Sequence, residues 1–130
     1  HMGGIFMQIR ESAEDYLEAI LVLSKKGGGV RSVDIASMLG VSKPSVSHAM
    51  TLLREDGYIA MDRYGTVTLM DKGSEIAHRI YERHTVLTKM LEGLGVSPEV
   101  ARADACKMEH DVSDESFEKI KEHLIAKGEI

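Results

Sequence analysis

Apolar residues recur at helical spacing through most of this chain and take on strand composition in only one short stretch, near the middle. Tyr16, Leu17, Ile20, Leu21 and Leu23 form a stripe spaced three and four residues apart, the pattern of an amphipathic helix. Ser12, followed by Glu14 and Asp15, is predicted to open that helix, because a serine can cap and acids suit the first turn. Lys25-Lys26 and the glycines at 27–29 are predicted to close it. Ser32 then begins a short helix through Val33, Ile35, Ala36 and Leu39. Gly40-Val41-Ser42 makes a tight turn, and Pro44 begins a second helix through Val46, Met50, Leu52 and Leu53 to Gly57. Helix, short glycine-containing turn, helix is the helix-turn-helix layout.

Tyr58-Ile59-Ala60-Met61 and Thr66-Val67-Thr68-Leu69 have strand composition, and Asp62-Arg63-Tyr64-Gly65 between them reads as a turn. A hairpin placed directly after a recognition helix is a wing. Asp71 or Lys72 starts a long helix with Ile76, Ile80, Val86, Leu87, Met90 and Leu91 on its inner side, ending at Gly93-Leu94-Gly95. Ser97-Pro98 opens another helix, which holds Val100, Ala103, Cys106 and His110. Ser113-Asp114-Glu115 caps a last helix with Phe117, Ile120, Leu124 and Ile125 inward. The predicted fold is mainly α: a winged helix-turn-helix domain of three helices and a β-hairpin wing at residues 8–70, then an all-α domain at residues 71–130.

Composition narrows the class. A chain of 130 residues with 43% apolar content makes one compact unit, or a small module with a second element attached. No apolar run approaches the length of a membrane span, and no secretory leader is visible, so no membrane partner is expected. His1-Met2 has the look of a cloning remnant, with Met2 or Met7 as the native start. The single cysteine precludes an intrachain disulfide and fits a reducing cytoplasm. The net charge of -5 argues at first against nucleic acid, but it is unevenly spread: residues 1–65 hold 7 basic and 8 acidic side chains, residues 66–130 hold 9 and 13. A local basic face on the first half is compatible with this balance.

Small and polar side chains gather at the start of the second short helix: Ser42, Lys43, Pro44, Ser45, Ser47 and His48. A helix entering the major groove meets base edges with its N-terminal residues, and short hydroxyl side chains permit close approach. Lys43 suits a phosphate. Arg54 lies further along the same helix, and Arg63 with Tyr64 at the wing tip suits backbone or minor groove. The plainer reading is an ordinary helical hairpin with a solvated face; the wing that follows tips the balance toward double-stranded DNA.

Cys106, Glu109 and His110 stand at i, i+3 and i+4, which on a helix is one face with neighbours about 5–6 Å apart. Thiolate, carboxylate and imidazole are all ligands for divalent transition metals. Asp15 and Glu18 set two more carboxylates at i and i+3 on the first helix. Each has a plainer role as well. Asp15 completes a capping box with Ser12, Glu18 is a solvated acid, Cys106 is a small core group, and Glu109 and His110 are surface residues. His84, mid-helix beside Arg83, reads singly as structural. The combination favours an ion, because burying such a trio without a cation costs several kcal/mol.

Taken together these segments resemble the diphtheria toxin repressor and manganese transport regulator family of metal-responsive transcription repressors, over about residues 10–127. The resemblance is carried by Ser12-Ala-Glu-Asp-Tyr-Leu-Glu18, by Asp34-Ile-Ala-Ser-Met-Leu-Gly-Val-Ser-Lys-Pro-Ser-Val-Ser47, by Arg83-His84, by Cys106-Lys-Met-Glu-His110 and by Ser113-Asp-Glu115. It implies that the second domain is a helical dimerisation domain and that the chain is a homodimer on a DNA operator. The implied output is repression of metal-uptake genes, with no organic cofactor. It implies Asp15, Glu18, His84, Cys106, Glu109 and His110 as metal ligands, and Ser42, Pro44, Ser45, Ser47 and His48 as residues that meet DNA. The chain looks like the short form, without a C-terminal SH3-like domain.

Its ligand set is a hybrid. Cys106 stands where manganese-type members commonly have glutamate and iron-type members cysteine; Asp15 matches the manganese type, where iron-type members have methionine. Thr88 and Arg102 stand where iron-type members supply extra ligands, so that second site is not expected. Oxygen donors with imidazole favour Mn(II), then Fe(II), while the thiolate leaves Zn(II) and Co(II) open. The alternatives are a winged-helix regulator answering to a non-metal ligand, and a structural zinc module. An enzyme with Cys106 as nucleophile and His84 or His110 as base is not expected, since no glycine-rich oxyanion loop adjoins the thiol.

Overall fold

The computed structural model describes residues 2–130, with side-chain surroundings from residue 11 onward; His1, half of the suspected cloning remnant, lies outside the described residues. Helix α1 runs Met2–Lys25, α2 Ser32–Leu39 and α3 Lys43–Glu55. Strands β1 (Ile59–Met61) and β2 (Val67–Leu69) follow, then α4 (Asp71–Gly93), α5 (Pro98–Met108) and α6 (Asp114–Ala126). The chain forms two compact units, one up to His78 and one from Arg79 to Ile130. The fold is mainly α, with a winged helix-turn-helix in the first unit.

In the first unit, Leu17, Ile20 and Leu21 of α1 meet a core built with Ile35 and Ala36 of α2, Val46, Met50 and Leu53 of α3, and Ile59 and Val67 of the hairpin. Ser12 does not open α1. The helix begins upstream, where no proline interrupts it, so Ser12 is an exposed mid-helix residue and Asp15 has no capping box to complete. The turn between α2 and α3 follows the expectation: Gly40 is left-handed (φ 67°) and its N–H donates to the Ala36 carbonyl. Ser42 caps α3 through the Ser45 N–H, with Pro44 in the first turn.

The wing is a two-stranded antiparallel hairpin in the register Ile59↔Leu69, Ala60↔Thr68, Met61↔Val67. Val67 N–H also donates to the Val30 carbonyl at 2.8 Å, tying the hairpin to the segment before α2. Gly73 lets the start of α4 pass against β1, because a Cβ there would overlap the Tyr58 carbonyl oxygen.

In the second unit, Val86 of α4 packs with Phe117 and Leu124 of α6, and Met90, Val112 and Ile120 close around them. On α5 the buried positions are Ala101 and Ala105, whereas Val100, Ala103 and Cys106 are exposed. One expected face is corrected: on α6, Ile125 is exposed while Leu124 is buried.

Candidate metal centre and nucleic-acid interface

All six candidates at the start of α3 (Ser42, Lys43, Pro44, Ser45, Ser47 and His48) are exposed. Val46 and Met50 anchor the opposite side of the helix in the core, so burial of one face fixes the polar face outward. The Ser42 hydroxyl donates to Ser45 Oγ at 2.8 Å, and the Ser45 N–H donates back to Ser42 Oγ at 3.2 Å. The pair stiffens the end of the helix that would meet a groove.

The wing tip is equally built. Asp62 Oδ1 accepts from the Tyr64 N–H at 2.8 Å and the Thr66 N–H at 2.9 Å. These bonds, Thr66 first, hold the Asp62 carboxyl below the usual carboxylate range. The Arg63 guanidinium stacks on Tyr64, 4.9 Å from the ring centroid, and donates to its hydroxyl at 2.7 Å. Arg31, at the N-cap of α2, brings its guanidinium beside Gly65 and adds an attractive field at Asp62. Sequence reasoning passed over Arg31. Its only signal was a basic residue immediately before the helix-turn-helix.

In the second unit, His84 of α4, Cys106 of α5 and Glu109 offer a nitrogen, a sulfur and an oxygen that lie within 4.8 Å of one another. Glu109 is fully buried. His84 Nδ1 lies 2.9 Å from Glu109 Oε2. An ionised carboxylate only accepts, so against it Nδ1 would carry the proton. The other oxygen, Oε1, is buried with no hydrogen-bond partner among the described residues, and His110 Nε2 stands 3.7 Å from it. An orphaned buried carboxylate oxygen is costly, and a cation is the group that relieves it most directly. The donor set fits a divalent transition metal, with the thiol deprotonated on binding.

One expectation about this cluster changes: Cys106 is exposed and is not a core group. Cys106 lies near the end of α5, Glu109 is its C-cap with helical dihedrals and an N–H bonded to the Ala105 carbonyl, and His110 lies in the turn that follows. Asp15 and Glu18 sit on α1 in the first unit, both half-buried. Arg83 had no role assigned from sequence beyond adjacency to His84. It is buried at 3% exposure and donates to the carbonyls of Glu109 (3.2 Å) and Val112, and to Asp114 Oδ1 at 2.5 Å.

Two family models match in tandem. "Iron dependent repressor, N-terminal DNA binding domain" covers residues 8–67, and "Iron dependent repressor, metal binding and dimerisation domain" covers residues 70–125. The transcriptional regulator MntR of Escherichia coli O157:H7 is 40% identical over 126 residues, spanning 93% of this chain and 81% of that protein. The HTH-type transcriptional regulator MntR of Lysinibacillus sphaericus is 35% identical over 109 residues, spanning 84% of this chain and 78% of that protein. Among solved structures, a manganese-dependent transcriptional repressor in complex with manganese superposes with a TM-score of 0.80 at 31% identity, over 86% of this chain and 52% of that one. The manganese regulator SloR superposes with a TM-score of 0.78 at 28% identity, over 86% of this chain and 53% of that one. This chain thus spans about half the length of these two solved chains. An exposed recognition helix, a wing and a buried carboxylate among metal donors agree with both domain matches: the chain belongs to the iron dependent repressor family of metal-responsive, DNA-binding transcriptional regulators.

Proposed function

We propose that this protein is a repressor of metal-uptake genes whose homodimer binds its operator when Mn(II) is abundant, with Fe(II) as the next-best activator. Membership in a repressor family places it among regulators rather than enzymes. The observation that carries the metal reading is Glu109: a fully buried carboxylate with one oxygen bonded to His84 and the other without a hydrogen bond. Support for manganese comes from relatives named as manganese regulators and from the oxygen and imidazole donors.

The ligand set we assign is Asp15, Glu18, His84, Cys106, Glu109 and His110. The last four lie in the second unit, within the domain we divide at residues 71–130; Asp15 and Glu18 join them on the strength of sequence spacing and resemblance. In this reading metal occupancy sets the geometry of a paired recognition head, whose helices must match half-sites a helical turn or a multiple apart. Linkage then requires operator DNA to tighten metal binding by the same factor. Ser42, Lys43, Pro44, Ser45, Ser47 and His48 face the groove in this account, and Arg63 and Tyr64 meet the backbone or the minor groove. A cytoplasmic location goes with it.

A second reading rests on Cys106. Its sulfur stands beside His84 and Glu109, and a sulfur ligand pulls selectivity toward Zn(II) or Co(II). Anaerobic titration of an operator fragment, metal by metal and followed by fluorescence anisotropy, separates the two. Tightening by Mn(II) or Fe(II) at micromolar free ion supports the first; a response confined to Zn(II) and Co(II) supports the second. Binding that ignores both metal and chelator removes the sensor assignment.

A further inference from the structure

We infer that Arg83 is a positioning residue for the metal centre, holding Glu109 and His110 in place before any ion arrives. This rests on the metal-site reading above and adds to it a residue that is not itself a ligand. Glu109 is the C-cap of α5, its N–H still bonded to the Ala105 carbonyl, and His110 lies in the turn beyond; carbonyls at this end have no further helical turn to accept from, so they call for another donor. Arg83 provides it. One guanidinium nitrogen donates to the main-chain carbonyls of Glu109 and Val112, on either side of His110 and Asp111; the other donates to Asp114 Oδ1 in the first turn of α6. The guanidinium also lies over the Phe117 ring, 5.2 Å from its centroid.

The planar fork spans three acceptors at once, which an ammonium on a shorter reach does not. The neighbour on the same helix, His84, meets the Glu109 carboxylate at 2.9 Å. Consecutive residues of α4 therefore grip one ligand, Arg83 by its backbone and His84 by its side chain. Groups that orient metal ligands in this way typically change affinity by about 10–100-fold when replaced.

The test compares Arg83→Lys, Asp114→Asn and Glu109→Ala with the parent, using Co(II) as the probe. Affinity is read by competition with a chelator, geometry by the cobalt d–d spectrum, and the metal-free fold by circular dichroism and thermal melting. Arg83→Lys should keep the helical spectrum, bind Co(II) about tenfold more weakly and shift the d–d bands. Asp114→Asn, altered at a side chain 84% exposed, should weaken Co(II) in the same direction with little change in melting. Parent-like affinity and bands in Arg83→Lys overturn the inference; if that variant does not fold, parent-like behaviour of Asp114→Asn overturns it. Glu109→Ala reports on the ligand set instead. Parent-like cobalt binding there would defeat the metal-site reading itself, whatever Arg83 does.

Discussion

His84 Nδ1 lies 2.9 Å from Glu109 Oε2, a contact that joins two helices of the second unit through the least exposed carboxylate of the cluster. The imidazole uses one carboxylate oxygen and leaves the other without a hydrogen bond. A buried carboxylate oxygen left so is a cost that a bound cation would relieve.

Glu109→Gln separates metal binding from folding. The amide still reaches His84 but carries no charge to hold a cation, so metal affinity should fall at least about tenfold. The thermal midpoint measured with chelator present should hold or rise, because a buried charge with an unsatisfied oxygen has been removed. A large drop in that midpoint would mean that Glu109 serves the core rather than an ion.

Gly73→Ala tests how closely α4 approaches the wing. A methyl group there would overlap the Tyr58 carbonyl oxygen, a backbone atom that cannot rotate away. We expect a loss of about 1–3 kcal/mol in urea denaturation, with Ser74→Ala as the control at the next position. A stability equal to that of the parent would show that the strand yields freely.

At the DNA-facing surface, Lys43→Ala should weaken operator binding and reduce the salt slope by about one unit, as loss of one phosphate contact does. Arg31→Ala should do the same, since its guanidinium stands at Gly65 of the wing. Slopes equal to the parent's would remove these residues from the phosphate-contacting set.

The wing turn carries a pH signature. Asp62 is held below the usual carboxylate range by N–H groups of Thr66 and Tyr64. A carboxyl lowered on folding stabilises the turn above its unfolded value of about 3.9 and loses that effect as pH falls through the lowered folded value. Amide exchange at Tyr64 and Thr66 should therefore be steady at neutral pH, after correction for intrinsic rates, and lose protection only in that acid window. Asp62→Ala should show the weaker protection at every pH. Protection that persists in the variant would assign the turn to Gly65 alone.

The order and type of the elements were legible because each boundary carried its own chemistry: Gly40 and Ser42 around the turn, Asp62-Arg63-Tyr64-Gly65 between the strands, Ser113 before α6. Legibility failed where the deciding force was not local. Ser12 looks like a cap, yet nothing in the residues before it stops a helix, so α1 runs through. Cys106 looks buried by its residue type, but the alanines at 101 and 105 set the phase of α5 and turn the thiol outward. The candidate donors His84, Cys106 and Glu109, which the structure brings together, stood out by residue type and by a family resemblance. Arg83 did not: a buried arginine bonding to main-chain carbonyls leaves no mark in a pattern of apolar and polar residues.

The most direct test of the metal-sensor assignment is the affinity of the parent protein for an operator fragment, taken anaerobically first with chelator and then with Mn(II). Association should be weak and salt-sensitive in chelator, tighten roughly a hundredfold with metal, within the usual span of allosteric coupling, and weaken again when chelator is restored. Equal affinity in the two states, with the ion shown independently to be bound, would contradict the assignment.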